Sequence, residues 1–234
     1  MAEPVLRILH CANFSEKKFG ASFYATDRKI SNGLIRNGHM VHDFSYRYVA
    51  RHQAPMGIKR LGIEKMNRRL IDTVQAIEPD LLLLGHSELV SNQTLIDLRH
   101  ERPDMKIAMW WVDWLEGFLV NRNFFIERIN LVDDFFLTTD PKALKDFLPL
   151  EKPLERIHFM PNICDASIDT GRAFAVEKPR HDLLFIGRKT GLRSDLIDFL
   201  QTQMIDINLG LYGQDRESLV QGQAYIDLLS SCKM

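Results

Sequence analysis

The 234-residue sequence predicts an α/β protein: a Rossmann-like, doubly wound parallel sheet followed by the beginning of a second Rossmann-like domain. Two observations carry this expectation. Short apolar runs of strand length alternate with segments of helical periodicity from residue 5 to about 160, and such alternation builds a parallel sheet through right-handed crossovers. After a small, polar stretch at 161–179 the same strand, turn and helix pattern starts afresh.

The first apolar run, Val5–His10, reads as a buried strand leaving through a loop that ends near Gly20. Apolar Phe23, Ile30, Leu34 and Ile35 predict a helix to Asn37, stopped by Gly38. Met40–Tyr46 resumes as a strand, and Ala50–Arg60 reads as a basic loop. Ile63–Ile77 is helical and halts before Pro79, because proline forbids continuation. The four leucines of Leu81–Leu84, closed by Gly85, are the mark of a strand buried on both faces. A helix at Gln93–His100, a strand at Met105–Trp111, a helix at Asn121–Leu131 and a strand at Asp134–Leu137 follow. A short helix at Pro141–Phe147, opened by proline, and a strand at Ile157–Met160 complete the first domain.

The domains are therefore expected at 1–165 and 181–234, with a linker at 166–180. In the second, a strand His181–Ile186 turns at Gly187, a helix covers Ser194–Gln203, and a strand Ile207–Tyr212 turns at Gly213 before a last helical segment. These are too few residues for a Rossmann domain of roughly 100 or more. Either this unit is incomplete and the chain is a fragment of a longer enzyme, or its strands join the first sheet.

Composition bounds the function. With 30 basic and 31 acidic residues the net charge is -1, which supplies no global attraction for nucleic acid or an anionic membrane; local basic patches stay open, but no nucleic-acid partner is expected. Three widely spaced cysteines lack zinc or disulfide spacing and suit a reducing compartment. With neither a signal peptide nor a membrane-length apolar run, the expected location is cytoplasmic, peripheral membrane contact staying open.

The candidate site residues sit at strand ends, where open parallel sheets place ligand contacts. Asp113 follows the strand ending at Trp111 and reads either as an acceptor ligand or general base, or as a cap on the next loop. His86, in Gly85-His86-Ser87-Glu88, reads as a proton-sharing or sugar-contacting imidazole or as a structural one. Trp111, and Phe19 and Gly20 in the first loop, are candidates for the acceptor cleft, although large aromatics serve equally well as core. Gly187 lets backbone amides approach a diphosphate while Arg188, Lys189 and Arg193 offer charge-assisted hydrogen bonds; a solvated basic turn is the alternative. The basic set Arg47, Arg51, Lys59, Arg60, Lys65, Arg68 and Arg69 faces either a phospholipid or an anionic glycan acceptor, or simply solvent as a solvated helix face. The first loop lacks Gly-x-Gly-x-x-Gly, which disfavours a classical dinucleotide site.

Several of these pieces resemble bacterial glycosyltransferases related to the spore-maturation CgeB group. They are Leu9-His10-Cys11-Ala12-Asn13-Phe14, Arg36-Asn37-Gly38-His39, Trp110-Trp111-Val112-Asp113, Met160-Pro161-Asn162 and Leu183-Leu184-Phe185-Ile186-Gly187-Arg188. The resemblance implies the two-domain GT-B fold, with an acceptor-side first domain and a donor-side second. It implies transfer of a sugar from a nucleotide-sugar donor to a glycan, protein or small-molecule acceptor in the cleft between them, on a bacterial surface glycan for instance. Arg188 and Lys189 inherit diphosphate binding from it. A site with no metal and no cofactor beyond the donor is expected, since preorganised positive charge meets the leaving group's demand and no Asp-x-Asp occurs. A non-catalytic ligand- or partner-binding module and a GT-B-fold sugar-nucleotide epimerase are the alternatives.

Overall fold

In the computed structural model, residues 4–113, 122–140, 142, 154–215 and 218–233 are described. The chain folds as two compact units, Met1–Phe19 with Ala25–Asp165, and Gly20–Tyr24 with Ala166–Met234.

The first unit is a six-stranded, wholly parallel sheet. Its strands are β1 (Arg7–Ala12), β2 (Met40–Ser45), β3 (Leu81–Gly85), β4 (Lys106–Trp111), β5 (Asp134–Leu137) and β6 (Ile157–Phe159), in the order β2-β1-β3-β4-β5-β6. The period of two sends Leu9, Cys11, Leu82, Leu84, Ile107, Met109, Trp111, Phe135 and Leu137 to one core. Ile8, Ala12, Leu83, Ala108 and Trp110 go to the other; both faces are apolar, as a parallel sheet requires.

Helices α1 (Thr26–Arg36), α2 (Tyr46–His52), α3 (Ile63–Ile77), α4 (Asn92–Glu101) and α5 (Arg122–Leu131) dress it. In α3 the buried Met66, Leu70 and Val74 recur every fourth residue, the stripe of an amphipathic helix. The helix stops at Glu78 in the left-handed region, φ 47°, with Pro79 next. Ser91 caps α4 by accepting the Thr94 N–H at 3.0 Å, one of the orphan donors of a helix start. α1 packs on the second core through Ile30 and Leu34, and the chain beyond β6 is pinned to it by the buried Asp165 carboxylate, which receives Asn32 at 2.9 Å and pairs with Arg36 at 2.6 Å.

Two expectations change here. The strand expected to reach Tyr46 ends at Ser45, and Tyr46–His52 is a helix rather than the start of a loop. Tyr46 and Ala50, one turn apart, are both fully buried in the core that holds Met66 and Leu70; tertiary burial, not local propensity, makes this short helix. The helix expected at Pro141–Phe147 lies outside the described residues apart from Lys142.

The second unit holds a parallel pair, β7 (Leu183–Ile186) and β8 (Leu209–Tyr212), with helices α6 (Leu192–Gln203) and α7 (Gln223–Ser230). Ile168, Ile197, Ile226, Leu228 and Cys232 are its buried apolar residues, while all four residues of β7 remain half-buried. Tyr24 stacks on Tyr225 at 4.4 Å between ring centroids.

Candidate active site

The order β2-β1-β3 places consecutive connections on opposite sides of β1, so the carboxyl ends of β1 and β3 form the topological switch point of the sheet. Open α/β sheets bind ligands at such a point. Polar and titratable side chains gather there.

β3 leads in. Gly85 has to be glycine: a Cβ there would sit 2.3 Å from the Trp110 ring and 2.9 Å from the Ala12 methyl. The next two residues, His86 and Ser87, both take left-handed backbone, φ 56° and 44°. That conformation costs L-residues of order 1 kcal/mol or more each, and strain of this kind concentrates at functional sites. The Ser87 hydroxyl holds the turn by donating to the Cys11 carbonyl at 2.8 Å.

His86 stacks on Trp111, 4.0 Å and 19° apart. Its Nε2 accepts the Val112 N–H over a long 3.5 Å, so in the neutral ring Nδ1 carries the proton. Nδ1 faces the Asp113 carboxylate at 3.5 Å. Burial holds the His86 imidazole below its ordinary pKa, against the raising influence of Asp113 and Glu88. The ring is therefore neutral at physiological pH, and the Asp113 carboxylate beside it is half-exposed.

Beside it Glu88 accepts from the Tyr46 hydroxyl and from Arg47, and Arg47 Nε donates to Tyr46 at 3.1 Å. Burial would raise the Glu88 carboxyl, but hydrogen bonds from Tyr46, a backbone N–H and Arg47 together hold it below the usual range. Across β1, Asp27 in the first turn of α1 accepts the Asn13 N–H at 3.0 Å. Burial raises its pKa to about 6, with the Asn13 bond, its own backbone N–H, Arg47 and Arg28 opposing.

Behind the site runs a hydrogen-bonded chain of fixed direction. Trp110 Nε1, which can only donate, gives to His10 Nε2 at 3.0 Å. His10 Nδ1 therefore carries the proton and donates to Ser31 Oγ at 2.8 Å. Ser31 donates to Asp43 at 2.6 Å, which Arg28 pairs with at 2.6 Å. Burial, helped by Arg28, lowers the His10 pKa to about 3.

Of the expected residues, the structure brings His86 and Asp113 together. Trp111 is buried beneath His86 and packs edge-on to Phe125 at 4.6 Å, as core. Phe19 is 95% exposed and caps a 3-10 turn, Glu16–Lys18, in left-handed backbone; Gly20, φ 85°, groups with the second unit. Asp27 and Tyr46 were not among the residues expected from sequence, and Arg47 was expected only as one of a surface set. Their signal is positional: Tyr46 directly follows a strand's carboxyl end, and Asp27 opens the helix after the first strand.

In the second unit, Gly187 and Gly213 close the carboxyl ends of β7 and β8, and a Cβ on Gly213 would lie 3.5 Å from the Gly187 nitrogen. Gly191, φ 54°, is the N-cap of α6, so the Gly187–Gly191 turn leads into a helix N-terminus, where backbone N–H groups favour anions. Arg188 and Arg193 are exposed and make no ion pair among the described residues, whereas Lys189 pairs with Asp198. Arg188 and Arg193 are thus the cations left available to a ligand.

The fold is that of GT-B glycosyltransferases. An α-glucosyltransferase bound to UDP and a 13-mer DNA containing an HMU base superposes with a TM-score of 0.55 at 15% identity, over 97% of this chain and 60% of that one. The UDP complex of an α-glucosyltransferase gives 0.55 at 16% over 96% and 61%. A further complex, with UDP-glucose and DNA containing an abasic site, gives 0.54 at 16% over 97% and 60%. The chain thus spans about three-fifths of the length of these proteins. No protein-family model and no curated protein matches the sequence.

One expectation is overturned. From a net charge near zero no nucleic-acid partner was expected, yet structures with this fold include complexes with DNA beside UDP or UDP-glucose. Net charge averages over the surface and says nothing about a local patch. Among the described residues no helix is long and apolar enough to cross a membrane.

Proposed function

We propose that this chain carries the acceptor side and the opening of the donor side of a nucleotide-sugar glycosyltransferase. The observation that carries the reading is the His86–Asp113 pair, with His86 on left-handed backbone, at the switch point of a GT-B sheet. The nucleoside diphosphate of the donor lies against the Gly187–Gly191 turn and the first turn of α6. Arg188, with Arg193, meets the charge that develops on the departing diphosphate. No metal is needed for that role.

Transfer forms a bond between an acceptor hydroxyl oxygen and the anomeric carbon and breaks the bond from that carbon to the diphosphate oxygen. In an inverting transfer, the case that requires a general base, the hydroxyl proton goes to the Asp113 carboxylate and the nucleoside diphosphate leaves. His86 orients Asp113 through its Nδ1–H and stays neutral. The fold relatives favour UDP-glucose as donor and a hydroxyl presented on nucleic acid as acceptor. With UDP-glucose and duplex DNA carrying hydroxymethylated bases, Asp113→Asn should lower kcat at least about a hundredfold with donor KM unchanged. Equal turnover by Asp113→Asn removes Asp113 as the base.

A further inference from the structure

We infer that the α2–α3 connection is the surface on which the acceptor nucleic acid docks, a deepening that rests on the glycosyltransferase reading above. Residues 44–63 include Arg47, Arg51, Lys59 and Arg60 and no Asp or Glu. Arg47 is engaged by Glu88. Arg51, Lys59 and Arg60 make no ion pair among the described residues, so their charge is available to phosphates.

The surface is continuous with the site. α2 starts where β2 ends, and Arg51 stands four residues, about 6 Å along the helix, beyond Arg47. Gly62 fixes the far end of the connection: a Cβ there would lie 1.8 Å from the Ala50 carbonyl oxygen, so α3 begins in backbone contact with α2. A polymer gripped here passes the carboxyl edge that carries Glu88, His86 and Asp113.

Apolar groups complete the match. Tyr48 and His52 lie face to face, 10° from coplanar with 6.0 Å between centroids, and Tyr48 is 45% exposed. Such a ring offers a stacking face to a base. Met56, on a left-handed turn residue, is 90% exposed, and Leu61 57%. Exposed aliphatics among cations act as wedges at base steps in proteins that unstack DNA, a step that presenting a base to an active site requires. Phosphate contacts supply grip and the wedge supplies the opening.

The test is fluorescence anisotropy of a labelled DNA duplex against the chain and against Arg51→Gln/Lys59→Gln/Arg60→Gln, over a salt series, with melting curves confirming that the variant is folded. The variant should bind at least tenfold more weakly. Its slope of log affinity against log salt should be shallower by about 2 to 3, close to 0.9 per lost phosphate contact. A second variant, Met56→Ser/Leu61→Ser, should keep the salt slope and lose affinity for a mismatched duplex. Unchanged affinity and slope in the charge variant overturn the proposal, as does tighter binding of the unsubstituted chain to phosphatidylserine vesicles than to duplex at equal phosphate. UDP titration run in parallel tests the glycosyltransferase reading separately, because a chain that binds duplex but not UDP retains this surface and loses that function.

Discussion

His10 and Asp27 lie beside the same strand end and titrate in opposite senses. His10 falls from an ordinary 6.5 to about 3, so the stability held by its neutral form is complete above pH 6.5 and is lost as pH falls toward 3. The slope is at most about 1.4 kcal/mol per pH unit. Asp27 rises from 3.8 to about 6, so the stability held by its protonated form is present below pH 3.8 and is lost as pH rises through 6. Asp27→Asn keeps an acceptor for the Asn13 N–H and removes that loss. Denaturant melts should therefore show the variant more stable by a few kcal/mol at pH 8 and equal to the parent below pH 4. A gain in stability accompanied by lost transfer would mark Asp27 as a residue kept strained for function. Thiol labelling of the native chain offers a second check. Burial pushes Cys11 up to about 12 and Cys232 is buried as well, while Cys164 is exposed, so Cys164 alone should react rapidly.

Glycines set how closely elements approach. Gly62→Ala drives a methyl into the Ala50 carbonyl, which is backbone and cannot swing aside; a loss of about 2 to 4 kcal/mol is expected in chemical denaturation. The same substitution at Gly33, with nothing near its Cβ and a place inside α1, should be neutral or stabilising by up to about 1 kcal/mol. At this scale the sequence was informative where patterns are long and periodic: α3 and the Leu81–Leu84 strand were placed within a residue. It was silent on α2. Seven residues carry too little periodicity to stand out, and the burial of Tyr46 and Ala50 against α3 is long-range information. That His86 and Asp113 lie at strand ends was legible, because each follows an apolar strand run, and the two strands are neighbours in the sheet. Tyr46 and Asp27 were not legible, because what defines each is a partner that only the fold brings up, Glu88 for Tyr46 and the Asn13 N–H for Asp27.

For the whole molecule the central claim is that the second unit takes a nucleoside diphosphate while the first takes the acceptor. Charge at this scale misled, since a balance of 30 cations against 31 anions conceals a twenty-residue stretch of one sign. The fold itself was readable, because alternation of strand and helix leaves few topologies that obey right-handed crossover. Calorimetric titration of the chain with UDP, beside Arg188→Ala, tests the claim most directly. The account predicts saturable binding that weakens at least tenfold in the variant, the loss of about 1.5 to 3 kcal/mol expected for a hydrogen bond to a charged group. Saturable binding unaffected by Arg188→Ala, or no binding at all, would contradict it.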